Sequence, residues 1–208
     1  RVLAVNTVLM GVTIMLFANE FSGPGSLVKT GPGTLILSLL QTNGGAEIYS
    51  GNTFVSQGTL TLVDTAALTN STAIVLSNAT LNVSGRVDGT LTVGAARPQT
   101  LAGGGVINGA LVVNAGSTLN PGNSIAPAVL TVSNAATLNG SVLMNLNLGT
   151  GVTSDEVVAS SISVAGTLTV TNLGADLAGG NKFQLFNAAV PGFASVNLPL
   201  SNATGTKA

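Results

Sequence analysis

The feature that most constrains this chain is a short segment, repeated many times, in which leucine or valine alternates with threonine or asparagine and glycine stands at the boundary. In Thr59-Leu60-Thr61-Leu62 the side chains alternate at period two, so Leu60 and Leu62 share one face and Thr59 and Thr61 the other. That is the signature of a half-buried strand. The same pattern recurs in Ala79-Thr80-Leu81-Asn82-Val83, Gly89-Thr90-Leu91-Thr92-Val93 and Gly166-Thr167-Leu168-Thr169-Val170. Leu81, Leu91, Leu101 and Leu111 lie ten residues apart, the length of one strand and one turn. No segment of helical period competes. Gly33 and Gly58 precede strands, where positive φ lets the chain turn sharply. Asn108-Gly109 and Asn139-Gly140 are turn dipeptides, and Asn120-Pro121-Gly122-Asn123 is a longer corner.

Strands this short, joined by turns too brief for helices, bury their apolar faces only by stacking coil on coil. The predicted fold is an all-β, right-handed parallel β-solenoid, or β-helix. About nine or ten coils of roughly 20 to 25 residues, about 4.8 Å apart, make a rod about 45 Å long. Leu60, Leu91, Leu111 and Leu168 are expected in one continuous core. A β-sandwich is the alternative, disfavoured by the scarcity of hairpin turns and core aromatics. The chain divides into an N-terminal apolar strand segment (1–22), a solenoid repeat domain (23–200) and a C-terminal tail (201–208).

Composition narrows the function. Only 6% of the 208 residues are charged and 3% aromatic, with 27 glycines and a net charge of −1. Ordinary domains carry about 25% charged residues, so hydroxyls and amides must cover this surface. With no basic cluster the chain lacks an electrostatic footprint for nucleic acid or anionic lipid. Cysteine and histidine are absent. That removes disulfides, the usual zinc and copper ligands, and every Ser-His or Cys-His nucleophile. A Cys-free, charge-poor chain rich in Thr, Asn and Gly is expected outside the cell.

The first segment, RVLAVNTVLMGVTIMLFANEF, is apolar enough to raise a signal peptide or a membrane span. Asn6, Thr7, Gly11 and Thr13 interrupt a span of the required length of about 20 residues, and the chain starts at Arg1 and keeps the segment, unlike a signal peptide. No transmembrane span is predicted. Val2, Val5, Val8, Val12, Thr13 and Ile14 are β-branched, and Val12, Ile14 and Leu16 fall on one face, which favours a strand. Val2 to Phe17 carries no charge. The segment is therefore expected to pair with a neighbouring copy, with Val8, Val12, Ile14, Leu16 and Phe17 as contact residues and head-to-tail copies of the chain as partners. The alternatives are an ordinary first coil on its own chain, or cover by an upstream part of a longer protein.

Leu27 to Leu37 (LVKTGPGTLIL) and Tyr49 to Leu62 (YSGNTFVSQGTLTL) resemble the two halves of the autotransporter-associated beta-strand repeat of bacterial surface and secreted proteins. The residues that carry the likeness are Leu27, Lys29, Gly31, Gly33, Thr34, Leu35 and Leu37, then Tyr49, Gly51, Thr53, Val55, Gly58, Thr59, Leu60 and Leu62. Leu39 to Ile48 reads as an insertion between the halves. Asn120-Pro-Gly-Asn-Ser124, Leu130-Thr-Val132, Ser154-Asp155, Gly166 to Gly174, Gly180 to Phe186 and Phe193 to Pro199 resemble the C-terminal passenger region of such proteins. The resemblance implies an extracellular or cell-surface structural protein, a stalk or self-assembling filament subunit, with a passenger adhesin for glycans or host surfaces as the alternative. It also implies a fragment or a processed subunit.

Little in the sequence points to chemistry. The acids Glu20, Glu47, Asp64, Asp88, Asp155, Glu156 and Asp176 are scattered, and the adjacent Asp155 and Glu156 point to opposite sides of a strand. All are read as solvated turn carboxylates. Pectate-lyase-like β-helix enzymes are the enzymatic rival, and Arg86 with Asp88 in one turn is the pair nearest to theirs; a local ion pair is the expectation. No catalytic, metal or cofactor site is predicted. The Thr-x-Thr pairs 59/61, 90/92 and 167/169/171 raise an ice- or carbohydrate-binding array, against the plain reading that Thr suits the wet face of a strand.

Overall fold

The computed structural model describes residues 2–6, 14–17, 22–39, 48–123, 125–149 and 151–199. Their regular structure is all strand, and among the described residues no helix is long and apolar enough to cross a membrane. Every paired strand is parallel to its neighbour, which removes the sandwich and establishes a β-solenoid. The first sheet stacks nine strands, Val2–Asn6, Ser26–Thr30, Thr53–Val55, Ala73–Leu76, Thr100–Ala102, Thr118–Asn120, Ser141–Leu146, Thr167–Asn172 and Ser195–Asn197. The second runs from Ile14–Phe17 through Thr34–Leu39, Thr59–Asp64, Ala79–Arg86 and Gly105–Asn108 to Val129–Leu138 and Glu156–Val164.

A third face branches from the second. Thr90–Val93 stacks on Ala110–Val113, which pairs with the second half of Val129–Leu138. That ten-residue strand turns the corner at exposed Ser133, Asn134 and Ala135, where its register with the next strand shifts. The ten-residue spacing of leucines therefore counts faces and not coils: Leu81 lies on the second face, Leu91 and Leu111 on the third, Leu101 on the first. Coil length runs from 18 residues, Thr100 to Thr118, to 28, Thr167 to Ser195. Successive coils are less even than a fixed period of about 20 to 25 residues, and the first sheet stacks nine of their strands.

Because inward residues recur at the same rung position, like stacks on like. One column is Leu35, Leu60, Leu81, Ile107, Val132 and Ala159, none more than 5% exposed. Leu60, Leu91, Leu111 and Leu168 belong to one continuous hydrophobic cluster, as their alternation predicts. Each buried leucine or valine contributes about 1.5 to 3 kcal/mol. Branched aliphatics fill most of this narrow interior, with Tyr49 buried among them, and Phe183, Phe186 and Phe193 pack against the core at the C-terminal end.

Candidate functional site

The turn after Ala79–Arg86 holds the pair closest to an enzyme's needs. Arg86 Nε and Nη2 donate to Asp88 Oδ1 and Oδ2 at 3.0 and 3.1 Å, and the Thr90 N–H donates to Asp88 Oδ1 at 3.1 Å. The Arg86 guanidinium holds the Asp88 carboxyl below its usual range. Both groups are engaged in fixing the turn, as expected of a local ion pair. Among the described residues no group of three or more His, Cys, Asp or Glu side chains is close enough to hold a metal ion.

Asp155 departs from the expectation of a solvated turn carboxylate, for it is fully buried. Its Oδ1 accepts from the Ala128 N–H at 2.7 Å, and Oδ2 from the Asn145 N–H at 2.7 Å and Asn145 Nδ2 at 2.9 Å. Asn145 Nδ2 also lies 3.3 Å from the Asn123 carbonyl and 3.4 Å from Asn120 Oδ1. Two stretches about thirty residues apart, Asn120-Pro-Gly-Asn and Ser154-Asp155, thus meet in one polar staple that fastens the loop before Val129–Leu138 to the coil above. Burial outweighs these donors and raises the Asp155 pKa. Glu156 is half-buried, Asp64 accepts from Ser38 Oγ at 2.7 Å, and Asp176 is exposed. Glu20 and Glu47 lie outside the described residues.

Other buried polar residues do similar work and escaped sequence reasoning as functional groups. Lys29 is wholly buried in the inward position between Leu27 and the turn. Its Nζ donates to the carbonyls of Thr30, Gly31 and Gln57 at 3.0, 2.7 and 3.1 Å, tying one corner to the next, and burial lowers its pKa. The signal was present: Lys29 falls at an inward position of an alternating strand. Gln99 Nε2 donates to Leu68 and Ser71 carbonyls at 2.7 and 2.5 Å, while its Oε1 accepts from the Gly94 N–H at 2.8 Å. Tyr49 Oη, Thr53 Oγ1 and Ser71 Oγ form a further buried chain. In each case a side chain satisfies backbone groups that a corner leaves without a ladder partner.

The three Thr-x-Thr motifs do not assemble into one array: Thr59/Thr61 lie on the second face, Thr90/Thr92 on the third and Thr167/Thr169 on the first. Stacking creates a different one. Thr100, Thr118, Ser141, Thr167 and Ser195 are in register on the outside of the first sheet. Their spacings of 18, 23, 26 and 28 residues hide this column from any search for a fixed period.

The N-terminal segment pairs with its own chain. Val2–Asn6 lies beside Ser26–Thr30, and Ile14–Phe17 beside Thr34–Leu37. Ile14 and Leu16 are in register with half-buried Thr34 and Ile36, whereas Met15 and Phe17 are in register with core Leu35 and Leu37. Val8 and Val12 lie outside the described residues, as do the tail (201–208) and most of the Leu39 to Ile48 insertion. No protein-family model and no curated protein matches this chain.

Proposed function

We propose that the chain is a non-enzymatic structural protein of the bacterial exterior, a β-solenoid stalk or filament subunit. The observation that carries the reading is the use of the buried polar groups. Lys29, Gln99, Asn145 and Asp155 all bond to backbone of their own and neighbouring coils, so the groups best placed for chemistry are committed to holding the rod together. The extracellular placement rests on the absence of cysteine, the neutral surface and the resemblance to autotransporter repeats. Small-angle scattering or negative-stain images are expected to give stiff rods or filaments. Melting with calcium, zinc or EDTA should give one unchanged midpoint, since a ligand of the native state raises it. A rise of several degrees with calcium would reveal a cation site and reopen the enzymatic reading.

The hydroxyl column from Thr100 to Ser195 favours a second reading, an adhesin that binds glycans along the first sheet. Replacing Thr118 and Thr167 with Val should then abolish retention on glycan arrays and leave the fold intact; retention by neither form removes this reading.

A further inference from the structure

Among the described residues the third face begins partway along the rod, with Thr90–Val93. The preceding coil passes from its second-face strand, Thr59–Asp64, to its first-face strand, Ala73–Leu76, through residues 65–72, which form turns and no strand. Turns do not seat against a strand along its whole length, and a cavity of about 180 Å³ lies between the two. The core residues Leu62, Leu68 and Leu91 give it an apolar side. Thr69, Arg86, Asp88 and Thr92 give it a polar one.

The polar side has bonding capacity to spare. Arg86 spends Nε and one N–H of Nη2 on the two oxygens of Asp88, so both N–H groups of Nη1 and the second of Nη2 have no acceptor among the described residues. The hydroxyls of Thr69 and Thr92 have no partner among them either. Arg86 is also the deeper of the charged pair, its side chain 13% exposed against 52% for Asp88. A guanidinium so far removed from bulk water, with most of its donors unanswered, costs free energy unless something in the cavity accepts from it.

The charges narrow what that can be. Arg86 and Asp88 neutralise each other, so the cavity has no net charge to attract an ion, and a ligand carboxylate or phosphate would meet the Asp88 carboxylate, the more exposed of the two. A neutral molecule suits all the groups present: oxygens for Arg86, hydroxyl protons for Asp88, further hydroxyls for Thr69 and Thr92, and C–H edges for the leucines. The volume is below the roughly 300 to 1,000 Å³ of sites for drug-sized ligands, which limits the occupant to a single small ring. We propose that this cavity binds one ring of a neutral sugar, with Arg86 donating to adjacent ring hydroxyls and Asp88 accepting from one of them. The proposal rests on the adhesin reading above and deepens it, moving the site from the first sheet to the start of the third face.

Backbone amide NMR of the full chain, titrated with methyl α-glucoside, methyl α-galactoside and methyl α-mannoside, reads the site directly. At least one glycoside should shift the amides of Thr69, Arg86, Thr90 and Thr92, with a Kd of about 1 mM, as suits a single ring without an aromatic platform. Ala95 lines the cavity and is exposed, so Ala95→Trp fills the space without removing a hydrogen bond and should abolish those shifts. Arg86→Met takes away a charged donor and should weaken binding about tenfold or more. Thr69→Val with Thr92→Val should weaken it too, and this arm stands even where Arg86→Met unfolds the turn. Shifts confined to Thr100, Thr118 and Thr167, or glycan-array retention that survives Ala95→Trp, would overturn this site and leave the adhesin reading in place. Larger shifts with sodium acetate or sulfate than with any glycoside would overturn the ligand class. No shift with any of the three would mean that the cavity holds only solvent, and would overturn the proposal.

Discussion

Asn145 holds Asp155 twice, its backbone N–H and its side-chain amide donating to the same carboxylate oxygen at 2.7 and 2.9 Å. One residue thus supplies two donors to a buried anion and, through the same amide, reaches the Asn120 to Asn123 corner. Asn145→Ala removes the side-chain half of that arrangement and should cost about 1 to 3 kcal/mol, read from the urea midpoint at unchanged slope. A loss too small to measure would show that the staple contributes nothing.

Two buried ions should tune stability with pH in opposite ranges. The folded pKa of Asp155 is raised by burial, so its contribution is complete below the unfolded value of about 3.9 and is lost as pH rises through the folded value. The folded pKa of Lys29 is lowered by burial, so its contribution is complete above its ordinary 10.5 and is lost as pH falls through the folded value. Relative to Asp155→Asn, wild type should lose ground as pH climbs out of the acid range; relative to Lys29→Met, it should gain as pH rises from neutral toward 10. Denaturant titrations across pH check both signs, and either slope reversed would refute the corresponding assignment.

The strand register predicts a contrast between neighbours. Leu91 is 3% exposed and stacked on Leu111, while Thr92 faces outward and is half-buried. Leu91→Ala should cost about 2 to 5 kcal/mol, and Thr92→Ser about 0.5 or less. Equal losses would contradict the register.

Two glycines should differ for a steric reason. Gly89 has φ of +58° with no atom within 4 Å of an added Cβ, whereas Gly103 has φ of +86° and its Cβ would lie 1.9 Å from the Leu76 carbonyl oxygen of the coil below. Gly89→Ala should cost about 1 to 2 kcal/mol, the strain of left-handed backbone. Gly103→Ala adds a clash with a backbone that its ladder holds in place, so its melting midpoint should fall much further. Matching midpoints would mean that the rungs separate more easily than their packing implies.

The sequence reading succeeded where side chains alternate locally and failed where coils meet. Leu60, Leu91 and Leu168 announce an inward face by period two alone, and parallel stacking follows from turns too short for helices. Asp155 misled because nothing near it in sequence reveals Asn145 or the Ala128 N–H, which only the winding of the chain brings beside it. Gln99 was silent for the same reason: its partners Leu68 and Ser71 are 31 and 28 residues away. The hydroxyl column was hidden by coil lengths that vary while the rung positions stay aligned.

Coils of 18 and of 28 residues advance the first sheet by the same single strand. Extra residues widen a corner and leave the height of the stack untouched. The molecule therefore measures distance in whole steps of about 4.8 Å, and its nine first-sheet strands span about 38 Å along the axis. Evolution can decorate such a ruler with loops of any length without changing the reach at which it holds whatever lies at its end; only the gain or loss of a complete rung alters that reach.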